Sequence, residues 1–352
     1  MSELGGGLPG RLLVVSDSLT GGLGVAVASH SAWFVDHGWS VEVAAPPAED
    51  GARVAVPRPV PMPVTVRDVG GVFRAARSVR RIRAAFRPDV VHCHGARSFL
   101  VARLSGWSAP FVTIHGINPV STDPPGYRLL RRPGLVAMSV VARRAFAVYP
   151  DPPAGWRFLP HASSRLRNLE ALPGPDSPEP SFLWVGSFDE PKRPDLFIEA
   201  IASVAARRPG VLGLMAGSGT RRPWVEGLIA RTGAPVRLLG QVADIDSLLR
   251  QAWGVVLLSN AEGVPFALEE AMWAARAVVA SRLAGTEWLA GTNNEGASLV
   301  DTAAQAADAL LSLCDLTQAR RAGKSNAEQI RQLLRPDDPW PAVASAYRAT
   351  SP

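Results

Sequence analysis

The sequence has few cysteines and no long uninterrupted apolar segment. Its two cysteines, Cys93 and Cys314, lie far apart in apolar surroundings, which predicts two unpaired, buried thiols rather than a disulfide. No Cys/His spacing indicates a structural metal site. The uncharged runs fall short of the ~20 residues that a membrane-spanning helix needs. The first residues contain an early glutamate and no apolar core of signal-peptide length, so we expect a cytoplasmic protein.

Aromatic residues are also scarce. They make up 7% of the chain and do not alternate with its arginines, so we expect no base-stacking surface and no nucleic-acid partner. The formal net charge is +6, and arginine dominates over lysine. This balance favours anionic ligands such as phosphates or an acidic lipid surface.

What the sequence does contain is a regular alternation of short apolar runs and helical patterns. Its 352 residues are enough for two domains. The predicted strands of the first half are 11–16, 40–45, 89–94, 110–116 and 135–140. Runs that are nearly continuously apolar are typical of parallel strands covered on both faces. The first half is therefore predicted to be a doubly wound α/β sheet built from βαβ units.

A Pro-rich segment, 168–180, is the best candidate for a linker between two such sheets. Beyond it the alternation restarts. The predicted strands of the second half are 181–187, 211–217, 235–240, 253–259 and 276–281. Because ligands bind at the carboxyl ends of parallel strands, we expect the functional site in a cleft between the two sheets.

Residues 72–87 have the pattern of an amphipathic helix. Its apolar face is formed by Val72, Ala76, Val79, Ile82 and Phe86, and arginines occupy much of the rest. Two interpretations stay open. The arginines could be the solvated face of a helix packed on the sheet, or they could contact acidic lipid headgroups or an anionic acceptor as a peripheral membrane surface.

The segment Ser259–Ser281 places carboxylates in a mostly apolar stretch. Pro265 fits the first position of a helix, and the free N–H groups of that first turn form an anion site. Glu262 lies beside this site, and Glu270 lies about 7.5 Å along the helix axis, where it could receive a ribose diol. Glu269 is about 100° around the helix and is expected at the surface. The alternative is that the glutamates only favour the helix N-terminus electrostatically.

The stretch EGVPFALEEAM, 262–272, resembles the Glu–seven residues–Glu motif of retaining GT-B glycosyltransferases, especially family 4, with Glu262 and Glu270 at its two glutamates. Other segments resemble the family in the same order along the chain: 20–24, 88–95, 113–116, 182–201, 214–219, 236–249, 281–289 and 339–348. The resemblance implies a GT-B fold of two Rossmann-like domains. It implies an acceptor domain over 1–167, a donor domain over 168–335, and a C-terminal helix, 336–352, that crosses back to the first domain.

The resemblance also implies individual roles. Lys192 would grip the donor diphosphate, Glu270 would hold the ribose, and Glu262 would orient the transferred sugar. His115 would hydrogen-bond a sugar hydroxyl or buffer developing charge, which makes Glu262, His115 and Lys192 the catalytic candidates. The other donor-binding candidates are Gly21, Gly22, Gly186, Ser187, Arg193, Gly217, Gly240, Val242, Val264, Phe266 and Ala267. Among them, the two N-terminal glycines would approach the donor where a side chain would clash.

We expect structural roles for the other histidines. His92 and His94 end a strand, and both should point to the face opposite Cys93 because side chains alternate along a strand. The remaining histidines, His30, His37 and His161, show no convergent partners in the sequence.

The chain departs from the family pattern at several positions. Ser187 replaces the usual arginine after the glycine, so either Arg193 substitutes for it or the donor binds more weakly. Ala275 and Ala277 replace the usual Gly and Pro after the motif helix, and we expect both to be tolerated. The Asp-Ile-Asp run at 244–246 resembles a metal-binding motif of another glycosyltransferase fold. Because it follows a strand and opens a helix, we interpret it as a cap and predict no required metal or cofactor.

The resemblance implies a retaining hexosyl-type glycosyltransferase, which we predict to be independent of metal. Its donor would be a nucleoside-diphosphate sugar, with UDP or GDP favoured, and its acceptor a hydroxyl of a small molecule, glycan or lipid. No nucleophile or general base is evident, in agreement with a same-face mechanism. One alternative is a nucleotide-sugar epimerase that uses His92, His94 and His115, and another is a non-catalytic nucleotide-sugar-binding homologue. A dinucleotide oxidoreductase is disfavoured because GGLG, 21–24, is not a full Gly-x-Gly-x-x-Gly run.

Overall fold

The computed structural model describes residues 10–47, 55–63, 69–115, 145–152, 154–167, 169, 172 and 174–349. The chain divides into two compact units. Unit 1 comprises Met1–Ser164 and Asp337–Pro352, and unit 2 comprises Arg165–Pro336. This division comes just before the predicted linker. Each unit contains a parallel sheet, as the long Val-rich runs of the sequence require.

The sheet of unit 1 has seven strands in the order β3-β2-β1-β4-β5-β6-β7. Its strands are β1 (Arg11–Ser16), β2 (Ser40–Ala45), β3 (Pro59–Pro61), β4 (Val90–His94), β5 (Phe111–Ile114), β6 (Ala145–Ala147) and β7 (Arg157–Phe158). Strand β1 lies in the interior of the sheet, because Leu13 is paired with Glu42 on one side and with Val91 on the other. Both faces of β1 are buried, so the sheet needs cover on each side.

Helices provide that cover. The described helices of unit 1 are α1 (Gly21–Asp36), α2 (Val69–Phe86), α3 (Ala96–Leu104) and, near the C-terminal end, α11 (Trp340–Arg348). One apolar core includes Val79 of α2 and Phe99 of α3, and the other includes Phe34 of α1 and Tyr347 of α11. The last helix of the chain is therefore part of the core of unit 1.

The sheet of unit 2 has six strands in the order β10-β9-β8-β11-β12-β13. Its strands are β8 (Ser181–Val185), β9 (Leu212–Ala216), β10 (Val236–Gly240), β11 (Gly254–Leu257), β12 (Ala277–Ser281) and β13 (Ala297–Val300). From β8 the chain moves outward in one direction to β10, and then returns to β11 on the other side of β8. The neighbours β8 and β11 therefore form a topological switch point, where connecting loops diverge and leave a crevice at the carboxyl ends of the strands.

The helices of unit 2 follow its strands and pack on both faces. They are α4 (Pro194–Arg207), α5 (Arg222–Thr232), α6 (Ile245–Gln251), α7 (Phe266–Trp273), α8 (Ala284–Ala290), α9 (Ala303–Ser312) and α10 (Leu316–Leu333). One large core joins Phe197 and Ile201 of α4 to Trp184 of β8 and Leu310 of α9. No helix in the described residues is both long enough and apolar enough to cross a bilayer.

The predicted doubly wound α/β class is confirmed. Every predicted strand that lies in the described residues contains an observed strand, whereas the strand predicted at 135–140 lies outside them. Strands β3, β6, β7 and β13 were not predicted. Each has only two to four residues, which is too short for a hydrophobic period to be recognised.

Two smaller expectations need correction. Both cysteines are unpaired as predicted, but only Cys93 is buried, while Cys314 is partly exposed. The helix predicted at 72–87 begins earlier, at Val69, and ends at Phe86. Its predicted apolar face is otherwise correct, because Val72 and Val79 are buried.

Helix α7 ends in a Schellman motif that contains alanine where glycine is usual. The amide of Ala275 donates to Met272 O at 3.0 Å, and the amide of Arg276 donates to Ala271 O at 2.9 Å. This hydrogen bonding requires a left-handed residue at Ala275, whose φ is +58°. The expectation that alanine is harmless here is therefore only partly right, because a Cβ is strained in this region.

The C-terminal end of helix α7 is held in place by neighbouring groups. Arg276 is 1% exposed, and its guanidinium donates to the carbonyl of Leu249 at 2.6 Å and to those of Ala274 and Ala275 at 3.2 Å. Burial lowers the pKa of Arg276 to about 10, so the group still carries its charge at neutral pH. On the other side, a Cβ added at Gly323 of α10 would lie 2.1 Å from the carbonyl oxygen of Ala275.

Replacing Ala275 with glycine is expected to raise the free energy of unfolding by up to ~1 kcal/mol. Removal of the left-handed strain, about 1–2 kcal/mol, outweighs the added flexibility of glycine in the unfolded chain, about 0.5–1 kcal/mol. Urea denaturation measures the difference. Ala274→Gly is the matched control, because Ala274 has a φ of −75° and should lose stability. Equal losses in both variants would contradict the strain argument.

Candidate functional site

The switch point of unit 2 brings two loops together, 186–193 after β8 and 258–265 after β11. The loops are joined by backbone, because the amide of Asn260 donates to Pro191 O at 2.8 Å. The amide of Ser259 is bound in turn by the Ser281 hydroxyl oxygen at the end of β12, at 2.9 Å. Backbone and side-chain hydrogen bonds at the carboxyl ends of the strands therefore hold both loops at defined positions.

Lys192 and Glu262 form an ion pair at the carboxyl ends of these strands. The Nζ atom of Lys192 lies 2.7 Å from Oε1 and 2.9 Å from Oε2 of Glu262. The Glu262 side chain is 8% exposed and that of Lys192 is 28% exposed. Separate roles were predicted for these residues, so their direct contact is an addition that the sequence did not supply. The ammonium is therefore on the more exposed side chain of the pair, and the carboxylate is on the more buried one.

Arg193 follows directly in the left-handed conformation, with φ +40°, and is the residue at the N-cap position of α4, without a capping hydrogen bond from its side chain. Its guanidinium contacts both carboxylate oxygens of Asp195 at 2.7–3.0 Å. The hydrogen bond to Asp195 is the main reason that the pKa of Arg193 is raised. One further nitrogen reaches Asn260 Oδ1 at 3.4 Å. Arg193 belongs to the same loop as Ser187, the position that lacks the usual arginine, but part of the hydrogen-bonding capacity of Arg193 is committed to Asp195.

Glycines allow the loops of neighbouring strands to pack backbone against backbone. A Cβ on Gly217, whose φ is +147°, would lie 1.7 Å from the carbonyl oxygen of Gly186. The amide of Gly217 donates to Gly240 O at 2.7 Å. The predicted residues Gly186, Gly217 and Gly240 therefore lie together at the carboxyl edge, and Val242 follows them, partly exposed, in the loop after β10.

The N-terminus of α7 is also held by close packing. A Cβ on Gly285 of α8 would lie 1.6 Å from Gly263 O, so α8 packs directly on the loop before α7. Pro265 is the N-cap, and the helix begins at Phe266, one residue later than predicted. The amides of Phe266 and Ala267 belong to the first turn and have no acceptor within the helix. Val264 is 7% exposed at the edge of this cradle.

The carboxylates of α7 are arranged differently from the prediction. Glu270 is 9% exposed and lies 3.3 Å from Nε of Arg165, which also binds Asp246. Arg165 was missed, because it precedes the second sheet and has no motif of its own. The expectation that Glu269 lies at the surface is wrong, since it is 0% exposed. The capping interpretation of 244–246 is confirmed at Asp244, whose carboxylate accepts from the amide of Ser247 at 3.0 Å.

In unit 1, Gly21 and Gly22 lie in the first turn of α1 rather than in a separate loop. Gly21 has a φ of +57°, which favours glycine. A Cβ added there would meet nothing within 4 Å, so the protein itself does not exclude a side chain by contact. Within the described protein the requirement for glycine at Gly21 is therefore conformational, and the clash of a side chain with the donor stays a prediction.

The histidines of unit 1 converge, with the exception of His37. His92 and His94 point away from Cys93 as predicted, since Cys93 lies in the core under α2 and both imidazoles lie on the other face. The prediction that His30 and His161 lack convergent partners is wrong. The Nδ1 atom of His30 is 2.8 Å from Nε2 of His94, and the ring of His161 is 5.0 Å from that of His115. Helix α1, which carries His30, and the segment after β7, which carries His161, bring these rings in from distant parts of the chain.

Burial keeps these imidazoles neutral. Desolvation is the largest cause that lowers the pKa of His30, His92, His94 and His161 well below 6.5, and neighbouring imidazoles add to it. Burial also lowers the pKa of His115 to about 3. Both ring nitrogens of His161 are buried with no hydrogen-bond partner among the described residues. Next to His115, the imidazole of His161 therefore has one donor and one acceptor without a partner among the described residues.

Three of the imidazoles could be considered for a metal ion. Ring nitrogens of His30, His92 and His94 lie within 4.8 Å of one another, and neutral imidazole is a common ligand of zinc and copper. Each of these rings is, however, already within hydrogen-bond distance of a neighbour, 2.8 Å between His30 and His94 and 2.5 Å between His92 and the Tyr347 hydroxyl. The contacts describe a hydrogen-bonded cluster.

Comparison with known families gives one match in each half of the chain. Residues 20–149 match the model for Glycosyltransferase Family 4, and residues 179–315 match a model for Glycosyl transferases group 1. The two matches include the α7 motif and the loops at the switch point. A comparison with curated protein sequences found no match.

Solved structures share the fold over nearly the whole chain. Sucrose-phosphate synthase from Thermosynechococcus elongatus is 19% identical, with a TM-score of 0.74 over 97% of this chain and 98% of that one. HepE from Anabaena, in complex with UDP-glucose, is 15% identical, with a TM-score of 0.70 over 97% and 100%. A glycosyltransferase from Rickettsia africae is 14% identical, with a TM-score of 0.67 over 97% and 96%. At these identities the likeness shows the GT-B fold.

The buried imidazoles predict a loss of stability in mild acid. Below pH ~6.5 the histidines of the unfolded chain take up protons, whereas the folded ones stay neutral, so the unfolded state binds more protons and is favoured as the pH falls. The loss should approach ~1.4 kcal/mol per pH unit for each such histidine, and none is expected above pH ~6.5. Urea midpoints between pH 7.5 and 5 measure this dependence.

His161→Phe should make that pH dependence shallower, because it removes a buried titrating ring whose nitrogens have no described partner. His37→Gln is the comparison outside the cluster. An unchanged slope in His161→Phe would show that this histidine does not contribute to the acid sensitivity.

Proposed function

This chain belongs to the group 1, family 4 type glycosyltransferases, and we propose that it transfers a hexose from a nucleoside-diphosphate sugar to an acceptor hydroxyl. The observation that carries the proposal is the Lys192–Glu262 pair at the β8/β11 switch point, beside the N-terminus of α7. A cation, free amides and a carboxylate converge there, which suits an anionic ligand with a hydroxylated group attached. UDP is the nucleotide that we favour, because HepE, a protein of the same fold, was solved with UDP-glucose.

Lys192 has the central role in this proposal. Its side chain is 28% exposed, and its ammonium is neutralised by Glu262 at 2.7 Å. An arriving diphosphate carries more charge than one carboxylate and would take over the ammonium as a point-charge partner. Glu262 would then be free to accept hydrogen bonds from the sugar. Lys192 and Glu262 thus hold each other in position until the donor binds, when Lys192 would contact the diphosphate and Glu262 the sugar.

The first turn of α7 is proposed to bind the phosphates. Phe266 and Ala267 offer free amides, and the helix dipole favours negative charge at this end. Glu270 lies further along α7 and is proposed to accept hydrogen bonds from the ribose hydroxyls. Arg165, at 3.3 Å from Glu270, would hold this carboxylate in orientation. Arg193 is the proposed second cation for the diphosphate in place of the arginine missing at Ser187, in competition with Asp195.

Transfer is proposed to retain the configuration of the sugar and to need no metal. The leaving phosphate would itself take the proton of the acceptor hydroxyl on the same face, while Lys192 and the α7 amides stabilise its charge. His115 of unit 1 is the proposed hydrogen-bonding partner of a sugar hydroxyl. The epimerase alternative would need His92 and His94 as acid and base, but both are 0% exposed and bonded within the cluster.

Helix α2 is proposed to contact an acidic lipid surface. Phe73 is 58% exposed on it, and Leu104 of α3 is 46% exposed nearby. They line a shallow groove of about 600 Å³ together with Arg77, Arg80 and Arg81. Exposed apolar side chains surrounded by arginines match an anionic membrane interface, where the apolar groups enter the headgroup region and the cations meet lipid phosphates. A lipid acceptor would be reached most readily from such a surface.

Lys192→Ala and Glu270→Ala are each expected to weaken binding of the nucleotide sugar at least tenfold, a loss of ~1.4 kcal/mol. Lys192→Ala removes the cation that meets the diphosphate, and Glu270→Ala removes the acceptor for the ribose hydroxyls. Calorimetric titration with UDP-glucose measures the effect. Lys324→Ala is the matched control, because Lys324 is the other lysine of the chain and is 80% exposed on α10. Unchanged affinity in both site variants would show that the site is assigned wrongly.

The same preparations test the reaction. We expect full turnover in EDTA and, by NMR of the product, the anomeric configuration of the donor. Metal-dependent turnover or inversion would contradict the corresponding part of the proposal. Donor incubated alone should remain unchanged, whereas accumulation of epimerised nucleotide sugar would support the epimerase, and binding without transfer to any acceptor would support a non-catalytic homologue.

Replacement of Arg77, Arg80 and Arg81 by glutamate is expected to abolish cosedimentation with vesicles that contain anionic phospholipid. Phe73→Ser should weaken binding several-fold, and added salt should weaken binding of the wild type. The control carries the same change of charge on exposed arginines of unit 2, Arg208, Arg231 and Arg237. Equal loss in both triple variants would indicate a dependence on net charge alone, and binding to neutral vesicles would contradict an acidic partner.

A further inference from the structure

The proposed transfer uses His115 but gives no task to the polar groups buried behind it. His30, His92, His94 and Thr113 are all 0% exposed. Buried polar groups are costly unless each is hydrogen-bonded, and a chain of them is retained only where all members are satisfied together. The hydrogen bonds among these groups connect them to His115.

The groups form one unbroken line of hydrogen bonds. In order, its contacts are Thr113 Oγ1 to His92 Nε2 at 2.8 Å, His92 Nδ1 to the Tyr347 hydroxyl at 2.5 Å, that hydroxyl to His30 Nε2 at 3.0 Å, His30 Nδ1 to His94 Nε2 at 2.8 Å, and His94 Nδ1 to His115 Nε2 at 2.8 Å. Each interior imidazole uses both of its nitrogens. The line begins inside the core of unit 1 and ends at the partly exposed His115.

In a continuous line of hydrogen bonds, the donor and acceptor roles of neighbouring groups depend on one another. A neutral imidazole has one N–H donor and one acceptor nitrogen, and a hydroxyl can accept from one neighbour while it donates to the next. Burial keeps His30, His92 and His94 neutral. When every contact holds one proton, all donors must point the same way along the line. Either every proton points towards His115, or every proton points towards Thr113.

Thr113 decides between the two directions. Among the described residues, its hydroxyl has a hydrogen bond only with His92 Nε2. If His92 donated to it, the hydroxyl proton would be left buried without an acceptor. If Thr113 donates to His92, only an acceptor lone pair is left over, which is much less costly. The direction towards His115 is therefore favoured.

We propose that this line holds His115 as the Nδ1–H tautomer, so that His115 presents a hydrogen-bond donor, and not a base, at the nitrogen turned away from His94. Thr113, His92, Tyr347, His30 and His94 are then positioning residues. Tyr347 joins the line from α11, so the last helix of the chain takes part in setting the chemistry of a side chain that follows β5. The tautomer is a property of unit 1 itself, and its effect on sugar transfer rests on the proposed function.

The tautomer can be measured directly on the full-length protein. Two-bond ¹⁵N–¹H correlation spectra of ¹⁵N-histidine-labelled protein at pH 7.5 distinguish Nδ1–H from Nε2–H imidazoles by their nitrogen shifts. We expect His115 as Nδ1–H, with His94 and His30 also protonated at Nδ1 because each donates from that atom. His115→Gln assigns the signal. An Nε2–H form of His115 in the wild type would overturn the proposal without any variant.

Tyr347→Phe removes one hydroxyl from the middle of the line and keeps the ring. The segment from His30 to His115 then loses its fixed direction, so the Nε2–H form of His115 should appear and its nitrogen shifts should move. Tyr149→Phe is the matched control in the other core of unit 1. Unchanged His115 shifts in Tyr347→Phe, or changes of equal size in Tyr149→Phe, would overturn the proposal. So would one equivalent of bound zinc that is lost on His94→Gln.

Kinetics separate this inference from the proposed function. If transfer occurs, Tyr347→Phe should lower kcat several-fold and leave the dissociation constant of UDP nearly unchanged, because the nucleotide site lies on unit 2. If no variant and no wild-type preparation transfers sugar, the proposed function fails, whereas the tautomer measurement still decides this inference. Active enzyme with an unchanged His115 tautomer in Tyr347→Phe would reject the inference and leave the function intact.

Discussion

The constraint on which this structure depends is that both sheets are parallel and buried on both faces. A parallel strand needs a crossover to reach its neighbour, and the crossover helices cover the sheet. Polar side chains can then reach ligands only where strands end. At the switch point between β8 and β11 the loops diverge, and there Lys192, Glu262 and the first turn of α7 converge. Glycines such as Gly217 and Gly285 make the convergence possible, because a Cβ would collide with the backbone of the next loop.

Polar groups that remain inside the sheets must satisfy one another. Arg276 does so with backbone carbonyls at helix ends, which allows a guanidinium to be buried next to a strained Ala275. His30, His92 and His94 do so with each other and with Tyr347, at the cost of sensitivity to acid. In both places hydrogen bonds to neutral or backbone groups take the role that carboxylates more often have. The interior of each unit thus contains a few polar positions whose partners are completely specified.

Much of the fold followed from local patterns. The period of the apolar residues predicted the long strands and the buried face of α2, and the alternation along β4 predicted that His92 and His94 oppose Cys93. Pro265 after a strand and a turn predicted the start of a helix, and the observed helix begins one residue later. Strands of two to four residues were missed because so few residues carry no period. Glu269 was misplaced because helical angle alone does not tell which of two neighbouring faces other elements will cover.

By itself the sequence determined the longer strands, the helical patterns between them, and the apolar face of α2. These are properties of neighbours along the chain, where period and spacing are set by backbone geometry. The tertiary structure alone decided that Lys192 pairs with Glu262, that Arg165 reaches Glu270, and that Tyr347 closes a line of imidazoles. Such contacts join positions far apart in sequence. They depend on strand order and on the register of packed helices, and no local pattern records which residue will stand opposite another.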